Sequence, residues 1–198
     1  MPKHIIFTRS IVQDTLVNIK LSNEILKILE QEKNKKYFSE YNENYYLKNR
    51  EGFQTKFLDN KLISEYILKK SMELIVNHYE FNKKIKFVLS NFWINSNKKG
   101  DFNIPHTHPD SDFSGIYYLN VPKNGGELIF LLENKSLTFG NTCFLNSSDF
   151  IDSISLSPKN NMFVLFPSGL SHMVSPHNED IDRVSLSFNI KLHHENNF

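Results

Sequence analysis

Cysteine is almost missing from this chain, and its scarcity removes two classes of architecture. Cys143 stands alone, so neither an internal disulfide framework nor a cysteine-ligated metal cluster can form. It reads as a small buried apolar residue rather than a nucleophile. Long apolar runs are missing too: no stretch approaches the roughly 18 residues that span a bilayer. The opening Met-Pro-Lys-His-Ile-Ile-Phe lacks the apolar core and small-residue cleavage site of a secretory signal. The expectation is a soluble, cytoplasmic protein. Charge of one sign is also missing. With 23 Lys and Arg against 22 Asp and Glu, the net charge is +1, which offers no basic field to nucleic acid or an anionic membrane. Lysine-rich pieces such as residues 32–36 read as solvated helix faces. Only Arg9, Arg50 and Arg183 are arginines, so each of them stands out. Gly and Pro number seven apiece and are spread along the chain, and no repeat or linker divides it. A chain of 198 residues with 17 Phe suits a single domain with a sizeable core.

What is present changes period near residue 84. Before it, residues 4–12 are β-branched and aromatic and predict an opening strand. Ser22 is a plausible N-cap for a helix over 23–35 with Leu21, Ile25, Ile28 and Leu29 on one face. A second helix is expected over 60–79, with Leu62, Ile63, Tyr66, Ile67, Met72, Ile75, Val76 and Tyr79 forming a broad apolar face. The tyrosine-rich segment 37–60 between them has no clear period and is a candidate substrate-facing lid. After residue 84 come short β segments separated by turn chemistry: 85–89, 92–94, 115–121, 127–131, 152–156, 161–166 and 183–190. Seven such strands predict a sandwich or barrel, with helices of the first 80 residues covering one face in an α+β arrangement. The expected division within one domain (1–198) is a supporting strand and helices over 1–83 and a β core over 84–192.

The chemistry gathers around Ile104-Pro105-His106-Thr107-His108-Pro109-Asp110. Residues two apart on an extended strand point to one side, so His106, His108 and Asp110 can project into one cavity. His172 follows in Phe166-Pro167-Ser168-Gly169-Leu170-Ser171-His172. Imidazoles converging this way suit iron, copper, nickel or zinc, and two His with one carboxylate mark non-haem iron(II) sites. The remaining histidines, His4, His78, His177, His193 and His194, need no role beyond surface or packing. In the last strand Arg183, Ser185, Ser187 and Asn189 alternate with Val184, Leu186, Phe188 and Ile190. Arg183 begins that strand with a hydroxyl two residues on. Its planar fork grips a carboxylate bidentately, and a dicarboxylate chelating a metal at one end needs such an anchor at the other. The strand Ile116-Tyr117-Tyr118-Leu119-Asn120 puts Tyr118 and Asn120 on one face, where both can share that carboxylate.

Taken in order, Gly100-Asp101-Phe102, Pro105-His106-Thr107-His108, Ile116-Tyr117-Tyr118-Leu119-Asn120, Gly125-Gly126-Glu127-Leu128, Phe166-Pro167-Ser168, His172-Met173-Val174-Ser175-Pro176 and Arg183-Val184-Ser185 resemble the 2-oxoglutarate/iron(II)-dependent oxygenases of the prolyl-hydroxylase type. Within these, the chain is most similar to a branch of small, uncharacterised oxygenases of marine bacteria and phages. The resemblance covers roughly residues 90–192. It implies a double-stranded β-helix, a jelly-roll barrel of cupin type. It also implies Fe(II), 2-oxoglutarate and O2 as cofactor and co-substrates. His106 would be the first ligand and His172 the distal one, and Arg183 would anchor 2-oxoglutarate with Ser185 and Tyr118 assisting. The implied activity is a dioxygenase, of hydroxylase type, on a protein side chain or a small molecule; a homodimer stays open. The family pattern is His-x-Asp, whereas here His108 stands at the Asp position. Either His106, His108 and His172 form a three-histidine set, or the register slips by two and His108 with Asp110 supplies the His-x-Asp. The spacing from Gly100 and the presence of Pro105 favour the first. The alternative function is a metal-binding jelly-roll or cupin-like module, or isomerase, without 2-oxoglutarate turnover.

Overall fold

The computed structural model describes residues 10–35, 52–81, 84–131 and 153–194. Most of the strand expected over 4–12, residues 37–51 of the candidate lid, and Cys143 lie outside the described residues. So do all of residues 134–152.

The N-terminal helices form where their buried rows demand. Helix α1 runs Ile19–Lys33 and is capped by Asn18, whose Oδ1 accepts the Leu21 backbone N–H at 2.9 Å. The expected cap, Ser22, sits inside the helix with its hydroxyl hydrogen-bonded to the Tyr117 hydroxyl at 3.0 Å. The reason is packing: Leu21 belongs to the buried row Leu21, Ile25, Leu29, so the first turn has to begin before it. Helix α2 spans Lys61–His78 with Asn60 as its cap. Its buried row is Ile63, Ile67, Ser71, Leu74 and Ile75, narrower than the face expected from sequence, and Met72 and Val76 are exposed. No described helix is long and apolar enough to cross a membrane.

The β residues form two antiparallel sheets. Strands β1 (Val12–Thr15), β2 (Phe53–Gln54), β3 (Ile85–Asn97), β5 (Phe113–Asn120), β8 (Met162–Pro167) and β10 (Arg183–His194) make a six-stranded sheet in the order β1-β8-β5-β10-β3-β2. Strands β4 (Asn103–His106), β6 (Leu128–Leu131), β7 (Ser153–Leu156) and β9 (His172–Val174) make a four-stranded one in the order β4-β9-β6-β7. The two short strands expected over 85–94 are one 13-residue strand, β3, held along its length by β10.

Strand alternation partitions the apolar residues into two cores. Tyr117, Phe163, Leu165, Val184 and Leu186 pack against Leu21, Ile25, Ile63 and Ile67 of the helices. Their sequence neighbours Ile116, Tyr118, Met162, Val164 and Phe166 point the other way and pack with Leu128 and Phe130 of the smaller sheet. The six-stranded sheet is therefore buried on both faces, which is why β5, β8 and β10 read as nearly continuous buried runs. This is the mainly β, α+β jelly roll expected from the sequence. Gly115 marks the tightest approach within it. A Cβ there would lie 2.2 Å from the Phe188 ring and 2.7 Å from the Val164 carbonyl oxygen, and the backbone atom cannot yield. Gly115→Ala is expected to destabilise the protein by about 1–3 kcal/mol, the usual cost of overpacking, read as a lower denaturant midpoint with an unchanged slope.

Candidate active site

The three histidines come from strand ends that face each other. His106 closes β4 and lies directly opposite His172, the first residue of β9, so the two side chains are cross-strand neighbours. His108 lies just beyond β4, and its backbone N–H donates to the Ser168 carbonyl at 3.0 Å. That bond turns the chain so that His108 Nε2 comes 3.3 Å from His172 Nε2. One ligand-capable atom from each of His106, His108 and His172 lies within 4.8 Å of the others. Convergence thus comes from strand pairing plus one loop hydrogen bond, not from alternation along a single strand. Asp110 takes no part in this cluster; it occupies an exposed turn at φ 66°.

The tautomers are set by the backbone. His106 Nδ1 donates to the Ile104 carbonyl at 2.8 Å and His172 Nδ1 to the Leu170 carbonyl at 2.9 Å. Because a carbonyl only accepts, both Nδ1 atoms carry a proton, which leaves each Nε2 as the nitrogen that can face a metal. Burial, with His106 close by, pushes the His108 imidazole down to about 4 and that of His172 to about 3. Neutral imidazoles with oriented second nitrogens are the form that ligates a metal, so the donor set fits a divalent transition ion. A stability consequence follows. Both groups titrate lower in the folded protein than the ordinary 6.5, so the unfolded chain takes up protons first as pH falls. The stability held above pH 6.5 should therefore drain away between about 6.5 and 3. A falling melting temperature of metal-free protein through that window, flattened in His172→Gln, is the expected result.

Arg183 stands on the same cavity wall, together with Tyr118 and Ser185. It is 2% exposed, Nη1 donates to the Gly125 carbonyl at 2.6 Å, and Nη2 has no hydrogen-bond partner among the described residues. Gly126 makes room for it: at φ 79° a Cβ there would lie 2.8 Å from Nη1 and 2.4 Å from the Ser175 carbonyl oxygen. Burial lowers the Arg183 pKa and pushes the Tyr118 phenol up to about 12, so Tyr118 keeps its proton. A cation, a neutral donor and three imidazoles share one cavity.

Sequence comparison agrees with that chemistry. The family described as "Putative 2OG-Fe(II) oxygenase" matches residues 91–189, half of the 198-residue chain. The chain belongs to the 2-oxoglutarate/iron(II) oxygenase family. It is an Fe(II)- and 2-oxoglutarate-dependent dioxygenase. Solved structures repeat the fold. A prolyl-4-hydroxylase from Pseudomonas putida is 18% identical over 93% of each chain, with a TM-score of 0.57. HygX from Streptomyces hygroscopicus, solved with nickel and 2-oxoglutarate bound, is 10% identical over 93% of this chain and 83% of that one, TM-score 0.57. A Trichoplax adhaerens prolyl hydroxylase in complex with a peptide fragment is 17% identical over 92% and 83%, TM-score 0.57. No curated protein matches the chain by sequence.

One expected site residue of the oxygenase is misplaced by simple alternation. Asn120 is not among the cavity-lining residues; its side-chain amide donates to the Asp182 carbonyl at 2.9 Å. A bulge explains this. Tyr118 lies opposite Ser185 whereas Asn120 lies opposite Val184, so the extra residue, Leu119, turns Asn120 to the face away from Tyr118. Conversely, the cavity is also lined by Gln54, Trp93, Asn95, Asn97 and Asn103, none of which the sequence reading singled out. The available signal was Trp93, Asn95 and Asn97 alternating with Phe92, Ile94 and Ser96; dividing β3 into two short strands hid it.

Proposed function

We propose that His106, His108 and His172 hold iron(II) and that Arg183 binds the distal carboxylate of 2-oxoglutarate, with Ser185 and Tyr118 beside it, in an enzyme that hydroxylates a C–H bond of a second substrate. The observation that carries this reading is Arg183: a guanidinium sealed from water with Nη2 unpartnered among the described residues, lining the same cavity as three converging imidazoles. Burial disfavours the charged guanidinium, and a dicarboxylate offers a planar match to its free edge. Iron bound there would supply the redox chemistry with dioxygen that side chains lack. The chain's own groups do the rest. Tyr118 stays protonated beside the incoming carboxylate and adds a donor without adding negative charge. The Ile104 and Leu170 carbonyls hold two imidazole rings in place. Phe166 and Ile116 add apolar surface to the cavity wall. With His108 where the family has a carboxylate, the ligand set is neutral, one negative charge poorer than a His-Asp-His set. Peptide complexation by the Trichoplax relative supports a protein side chain as substrate; the jelly-roll fold is equally compatible with a small molecule.

The test is turnover. Purified protein given Fe(II), 2-oxoglutarate and O2 should release succinate and CO2 in equal amounts, and chelation should stop both. Metal uptake with no 2-oxoglutarate consumption would instead favour the cupin-like module or isomerase.

A further inference from the structure

We infer that the strip formed by β2 and β3 beside the histidine cluster is the subsite for the second substrate, and that it takes an uncharged saturated ring stacked by its C–H face on Trp93. This rests on the function proposed above, because it assigns the part of the cavity that the metal and co-substrate leave unused.

Strand register separates the two parts. On β10, Arg183, Ser185 and Ser187 lie directly opposite Asn97, Asn95 and Trp93 of β3, and Asn95 in turn lies opposite Gln54 of β2. The arginine end of the cavity is therefore one strand away from a row of carboxamides ending in an indole. The Trp93 ring lies 5.8 Å from the His108 ring, so a ligand resting on it is beside the metal cluster. The exposed Phe57 ring packs on Trp93 at 5.7 Å, tilted 53°. The segment carrying it is pinned along β3 by the Thr55 N–H to the Ile94 carbonyl and the Leu58 N–H to the Phe92 carbonyl, each at 3.0 Å. Trp93 is thus a propped platform rather than a loose surface ring.

Charge and hydrogen bonding narrow the ligand. Among the described residues the lining holds no carboxylate and no lysine, and its one permanent charge is Arg183, which the co-substrate engages. A charged second substrate would be desolvated against carboxamides without a counter-ion, which is costly. Gln54 and Asn103 each carry two donors and an acceptor, and Asn95, which gives one amide hydrogen to the Ser187 hydroxyl at 2.9 Å, adds its carbonyl oxygen; the set suits hydroxyl or amide groups at the ring's edge. A saturated ring presents C–H bonds, the partially positive face that an indole's negative face prefers. The C–H to be attacked then lies in the ring that Trp93 holds near His108.

Trp93 is the only tryptophan in the chain, so its fluorescence reports this subsite directly. The protein would be loaded with Zn(II) in place of Fe(II) and with N-oxalylglycine in place of 2-oxoglutarate. It would then be titrated with two neutral probes, N-acetylprolinamide and methyl glucoside, and with their charged counterparts, proline and glucuronate. At least one neutral probe is expected to shift the emission and to bind at least roughly tenfold more tightly than its charged counterpart, the factor that 1.4 kcal/mol represents. Which one responds tells whether the ring is carried by a peptide or a sugar. Saturation transfer to the probe's ring protons should persist in Trp93→Phe and vanish in Trp93→Ala while N-oxalylglycine still binds both. Equal binding of charged and neutral probes, or no response from either neutral probe with N-oxalylglycine bound, overturns the subsite. Failure of N-oxalylglycine itself to bind overturns the function on which it rests.

Discussion

Arg183→Ala is expected to weaken 2-oxoglutarate binding by roughly 30-fold to several thousand-fold. That range corresponds to the 2–5 kcal/mol lost when one partner of a buried, hydrogen-bonded charge pair is truncated, at about 1.4 kcal/mol per tenfold. The guanidinium is 2% exposed and already committed through Nη1 to the Gly125 carbonyl, so its orientation is fixed before any ligand arrives. Little reorganisation is needed for Nη2 to take up a carboxylate. Arg183→Lys should fall between the two, because it keeps the charge and loses the fork. Calorimetric titration of the metal-loaded variants with N-oxalylglycine measures both. A thermal melt of the metal-free Ala variant supplies the control, establishing that the variant is folded at the temperature of the binding measurement. If the Ala variant binds N-oxalylglycine as the parent does, Arg183 is not the anchor.

Metal affinity should fall by more than about 100-fold in His106→Ala, His108→Ala and His172→Ala, because losing a ligand costs more than the 10–100-fold typical of losing a group that orients one. Asp110→Asn should leave it unchanged. These four variants separate the two ligand registers, since a shifted register predicts loss in Asp110→Asn and survival in His106→Ala. Asparagine is the informative replacement because Asp110 holds a left-handed φ of 66°, which Asn tolerates and Ala does not. His108→Asp provides the complementary measurement. It supplies the carboxylate of the family pattern and should retain the metal, with a ligand set one negative charge richer. Competition with a chromogenic chelator reads all five proteins on one scale.

Much of the site was legible because it depends on residue type and local spacing. Imidazoles two positions apart at 106 and 108, a third at 172 and a rare arginine opening a strand survive any plausible fold. What alternation could not deliver was the effect of irregularity. A single bulge at Leu119 sends Asn120 away from Tyr118, and no residue in that strand announces it. His108 reaches the cluster through the Ser168 carbonyl after β4 has ended, a contact between segments sixty positions apart. The misplaced cap of α1 has the same origin, since whether Leu21 is inside the helix depends on what it packs against. Met72 and Val76 are apolar at roughly helical spacing yet exposed, because propensity and period do not say how wide the supporting sheet is.

The sequence by itself determined the chemistry available to this oxygenase. Its candidate metal donors are imidazoles rather than thiolates, its candidate anchor is one of only three arginines, and its β-rich half alternates so that a jelly roll can bury two apolar sets at once. Only the tertiary structure decided which of those groups meet. His106 faces His172 because β4 pairs with β9, Arg183 is sealed because Gly126 lets the turn close over it, and Trp93 lies beside His108 because β3 is one long strand. The physical reason is range. Side-chain chemistry and strand period are local and can be read from a few residues, whereas register, bulges and turn closure are settled by contacts between distant segments, each balanced by packing that no single stretch contains.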